Sequence, residues 1–63
     1  MSTLPDSQLS AIASAIDDLA VRVSRLAEEL QGTEESDRAA ALFEVERSLH
    51  MANRSIDRAR RAR

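Results

Sequence analysis

The chain contains no cysteine, lysine, tryptophan or tyrosine, and only one glycine, one proline and one aromatic residue, Phe43. Without cysteine there can be no disulfide, no thiolate nucleophile and no sulfur ligand for a metal. With a single histidine, His50, an imidazole-rich metal site is excluded as well. One glycine rules out the Gly-rich loops that cradle phosphates. Long apolar runs are also missing: the longest is the five residues from Ala39 to Phe43. That is far too short to span a bilayer, and the first residues show neither the basic n-region nor the apolar h-region of a signal peptide. These absences lead to the expectation of a cytoplasmic protein that does not engage membranes and carries no cofactor.

What remains is helix-forming material. Eleven of the 63 residues are alanine, and 32% are charged, so strands are not expected. A core this small rarely supplies more than about 3–5 kcal/mol on its own. With disulfides and metals excluded, oligomerisation is the remaining way to supplement it.

The stretch from Leu9 to Leu30 organises the rest. Leu9, Ile12, Ile16, Leu19, Val23, Leu26 and Leu30 follow one another at spacings of 3, 4, 3, 4, 3 and 4. This is a heptad seam with Leu9, Ile16, Val23 and Leu30 at a and Ile12, Leu19 and Leu26 at d, a stripe about 30 Å long on one helix. Beside it, the e positions Ala13, Ala20 and Ala27 form a flank narrow enough for another helix backbone to approach closely.

The first helix is expected over about 5–31, with Met1 to Leu4 frayed, Pro5 in the first turn where its missing N–H has no helical partner, and Asp6 near the positive end of the dipole. Gly32 suits a left-handed C′ position, and Thr33 is the expected N-cap of a second helix over about 34–62. A turn of only 32–33 forces reversal, so residues 1–63 read as a single antiparallel helical hairpin. The second seam is thinner, with Leu42, Leu49 and Ile56 at a and Val45, Ala52 and Ala59 at d, beside the small g residues Ala41, Ser48 and Ser55. Small flanks on both helices point to two hairpins forming a homodimeric four-helix bundle.

No constellation names a reaction. Di-iron bundles need Glu-x-x-His, whereas His50 follows Glu46 by four residues and suits a surface i,i+4 contact. Adjacent acids such as Asp17 and Asp18, or Glu28 and Glu29, diverge by about 100° on a helix and make no dyad. An enzyme is not expected. Exposed i,i+4 pairs are expected between Asp18 and Arg22, Arg25 and Glu29, and Asp57 and Arg61.

Charge is unevenly placed. Met1 to Glu46 holds ten acids and three arginines, and Arg47 to Arg63 holds six arginines and one aspartate. Arg47, Arg54, Arg58 and Arg61 fall on one helical face opposite Leu42, Leu49 and Ile56, with Arg60 and Arg63 nearby. Such a row can engage nucleic-acid phosphates, although it also complements the C-terminal end of the helix dipole and lies beside the acidic start of the first helix. Phe43, with Met51, is a candidate docking spot for a partner protein.

In architecture the chain resembles the Rop family of helical hairpins, which dimerise into antiparallel four-helix bundles and bind paired RNA loops. The likeness implies the bundle; no shared motif carries RNA binding across. Short two-helix effectors with a Trp-x-Gly turn differ at the turn, which here reads Gln31-Gly32-Thr33. The combined expectation is a self-associating interaction or regulatory module. Its alternatives are a nucleic-acid binder acting through the arginine row, and one subunit of a heteromeric helical complex.

Overall fold

Two helices account for nearly all of the chain in a computed structural model that describes the backbone of residues 4–62 and the side chains of residues 6–62. The first helix, α1, spans Leu4–Leu30, and the second, α2, spans Ser36–Arg61. They lie against each other as a hairpin, 53 × 15 × 9 Å in Cα extent. The frayed start was expected up to Leu4; Met1–Thr3 fall outside the described residues, as does Arg63, while Leu4 already belongs to α1.

The turn is longer than the sequence spacing suggested. After Leu30 the Gln31 N–H still reaches the Ala27 carbonyl at 3.0 Å. Gly32 then takes φ +80°, the left-handed conformation that only a residue without Cβ adopts at little cost. Thr33 does not cap α2. Its hydroxyl donates back to the Leu30 carbonyl and accepts the Glu35 N–H, closing a local turn of the kind that threonine favours over helix entry. Glu35 therefore stands at the N-cap without a side-chain capping bond, and α2 starts at Ser36 rather than at residue 34. Asp37 supplies an acid in the first turn of α2, and Arg58, Arg60 and Arg61 supply cations in the last, both favourable to its dipole.

The hairpin closes on a line different from the leucine-rich stripe. In α1 the residues turned toward α2 are those at a and e: Leu9, Ile16, Val23 and Leu30 are half-buried, Ala13 is half-buried, and Ala20 and Ala27 are 3% and 0% exposed. In α2 the matching line runs through Ala39, Leu42, Glu46, Leu49, Asn53 and Ile56, with Ala39 2% exposed. The alanine flank of α1 is thus covered by the chain's own second helix. An alanine facing a helix brings the backbones close together, and the nearest available backbone is the one tethered by a short turn.

One polar contact crosses this line. The Asn53 amide donates to the Ala13 carbonyl at 3.2 Å and to the Asp17 carboxylate at 2.6 Å. Both neighbours are acceptors, which fixes the amide orientation and leaves the buried Asn53 Oδ1 without a partner.

Candidate functional site

Closing on a and e leaves d uncovered. Ile12, Leu19 and Leu26 are 46%, 45% and 46% exposed, and Val45 on α2 is 43% exposed. In an antiparallel pair joined through the same heptad positions, equivalent positions of both helices fall on the same side of the plane containing the two axes. The d residues of α1 and α2 therefore share one broad face of the hairpin, and the half-buried a residues form its floor. The two helices furnish this face differently. From α1 come the three large side chains Ile12, Leu19 and Leu26, with Arg22 beside Leu19 and Leu26. From α2 come Val45 and the small exposed residues Ala41, Ser48, Ala52, Ser55 and Ala59.

The opposite face carries polar groups. A shallow depression between the helices is lined by Asp17, Ser24, Arg25, Glu28, Glu46 and His50, with Ala20 and Val21, the latter 50% exposed. His50 Nε2 lies 3.7 Å from Glu46 Oε2, and no hydrogen bond joins the imidazole to Ser24 among the described residues. Nothing there assembles a nucleophile with a base. Among the described residues no group of three His, Asp or Glu side chains could hold a metal ion, and no helix is long and apolar enough to cross a membrane.

The arginine row is divided by its surroundings. Arg47, Arg54, Arg58 and Arg61 are all exposed. Arg47 and Arg54 line one depression together with Phe43, Glu46, His50 and Met51, so the half-buried aromatic ring stands among the cations. Arg58 donates to the Ser55 hydroxyl at 3.0 Å and shares with Arg54 a second depression lined by Ser48, Met51, Ala52 and Ser55. Arg61 gathers with Arg60, Asp57, Asp6 and Ser10 at the open end of the hairpin, where Asp6 from α1 and Asp57 from α2 offset it. Asp57 pairs with Arg60 at 3.6 Å instead of with Arg61, because i,i+3 and i,i+4 neighbours compete for one carboxylate. Among the described residues, ion pairs from Asp18 to Arg22 and from Arg25 to Glu29 are not formed, since exposed pairs gain little by ordering two long side chains. Arg38 with Glu35, at 3.1 Å, is an additional pair near the turn.

Asn53 is the residue that the heptad reading passed over. Its signal was its position, seven residues after Glu46 and fourteen after Ala39 on one line of α2. No family model matches the chain, and neither the curated proteins nor the solved structures contain a match.

Proposed function

We propose that this chain is a non-catalytic, self-associating helical hairpin that serves as a protein–protein interaction or regulatory module, a second copy covering the face formed by the d residues. The observation that carries this reading is the row of Ile12, Leu19 and Leu26, each left nearly half exposed by the hairpin. Fully burying one such side chain is worth about 1.5–3 kcal/mol, and the hairpin realises only part of that. The same face of a second copy offers matching apolar surface, and the result is a four-helix bundle.

Light scattering after size exclusion, paired with thermal melts across a hundredfold concentration range, tests the reading. A mass of two chains and a melting point that rises with concentration are expected. A mass of one chain with a concentration-independent, cooperative melt overturns it; partial helicity in the isolated chain would point to a heteromeric partner instead.

A second reading is favoured by one specific feature, the depression that Phe43 shares with Arg47 and Arg54 on the side of α2 that the bundle would leave open. Cations beside an aromatic ring can hold a nucleic-acid backbone and stack a base. It predicts absorbance at 260 nm co-eluting at low salt and lost at high salt. Because the chain has neither Trp nor Tyr, such a signal would stand out clearly.

A further inference from the structure

We propose that the second copy docks with its α2 over α1 of the first, so that both turns lie at the same end of the bundle; this rests on the self-association reading above. The register of the hairpin carries the inference. Asn53 lies beside Ala13 and Asp17, and Glu46 and His50 share a depression with Ala20 and Ser24. Ile12 therefore stands level with the Ser55–Ala59 gap on α2, Leu19 with Ser48–Ala52, and Leu26 with Ala41–Val45. A twofold axis parallel to the helices keeps those levels. It sets each large residue of α1 against a gap between small residues on the second copy's α2, at three successive heptads.

The other closed arrangement uses a twofold axis across the helices and puts the turns at opposite ends. It stacks α1 on the second copy's α1 and α2 on its α2. Leu19 then meets Leu19, Ile12 meets Leu26, and the small side of α2 meets itself. One pair of axes is pushed apart while the other leaves voids, contrary to the uniform density of protein interiors. Size complementarity is met on both sides only when α1 faces α2.

Area and charge agree with this docking. The broad face measures 53 × 15 Å in Cα extent, a footprint of roughly 800 Å², close to the ~800 Å² that each partner contributes to a standard interface. At its rim Glu29 of α1 comes level with Arg38 of the second copy's α2. The acidic turns do meet at one end, but Glu34, Glu35 and Asp37 are exposed and are screened beyond about 8 Å at physiological salt.

A nitroxide at position 34 tests the arrangement. Glu34 is exposed, and with no native cysteine the E34C variant takes a single label. Circular dichroism confirms its helicity, and light scattering gives its mass in the same sample. Double electron–electron resonance should show an inter-label distance within about 30 Å, set by interaxial spacings of 8–10 Å plus the label arms. A dimer whose labels lie at a distance near the 53 Å length of the hairpin, or too far apart to couple, overturns the same-end arrangement and leaves self-association standing. A monomer mass without dipolar coupling overturns both.

Discussion

Leu26 and Ala27 are neighbours in the chain, yet Leu26 is nearly half exposed while Ala27 is completely enclosed. The contrast runs the length of α1. Its inner line is built from alanines and a-position residues pressed against α2, and its outer row consists of isoleucine and leucine facing away from the hairpin. Residue size, more than hydrophobicity, separates the alanines at e from the isoleucine and leucines at d. Small side chains lie where two backbones approach, and large ones remain where something further away must be reached. The intramolecular contact has taken the positions best suited to close packing and has left the greater apolar area unused.

That difference can be broken first from the outside. Leu26→Asp would place an unpaired carboxylate in the shared face of each copy of a bundle, where an uncompensated buried charge costs about 3–5 kcal/mol. Light scattering should then report a single chain at concentrations where the unaltered protein is dimeric. An unaffected mass would mean that the outer row is not an interface. From the inside, Ala27→Leu adds volume where no space exists, and overpacking of this kind costs about 1–3 kcal/mol. Urea titration followed by circular dichroism should show the loss at every protein concentration, since it is the hairpin itself that is strained. Gly32→Ala lies on neither face and calibrates the other two. A Cβ there meets nothing within 4 Å, so the cost is confined to holding an L-residue at positive φ, about 1 kcal/mol. It should lower the unfolding midpoint without changing the slope of melting temperature against concentration.

The fold was legible where its causes are local. Gly32 marks the reversal because only glycine takes that φ readily, and Pro5 and Asp6 mark the start of α1 because helix N-termini favour them. Two helices in contact follow from repeats of 3 and 4 residues. The choice between flanks was not legible. A heptad pattern identifies which residues recur on a helix, but a, d and e are all apolar in α1, and the pattern does not say which neighbour of a turns toward the first partner. The decision rests on how near two backbones can come, which depends on both helices at once. Capping was misread for a similar reason: Thr33 has two local acceptors and donors within reach, and the tighter turn engages both. The candidate face is a remainder, visible only after the closing line is known. Phe43 and the arginines were found by type, but their grouping into depressions depends on how side chains up to eleven residues apart lean together, and on the Asp6 that α1 brings alongside Arg61.

Asn53 gives the hairpin something that its apolar residues cannot. Because the closing lines of both helices repeat every seven residues, sliding α2 along α1 by one repeat would again set the a residues of the two helices opposite one another over the remaining overlap. Such a slide gives up about one heptad of overlap in four and would bring Asn53 to Ser10 or Ser24, where a neutral hydroxyl replaces a carboxylate. A hydrogen bond to an ionised acceptor is roughly twice as strong as one between neutral groups, so the bond to Asp17 singles out one alignment among several that packing alone would tolerate. The same single amide thereby sets which small residues of α2 lie level with Ile12, Leu19 and Leu26, and so determines the relief that any incoming helix would meet.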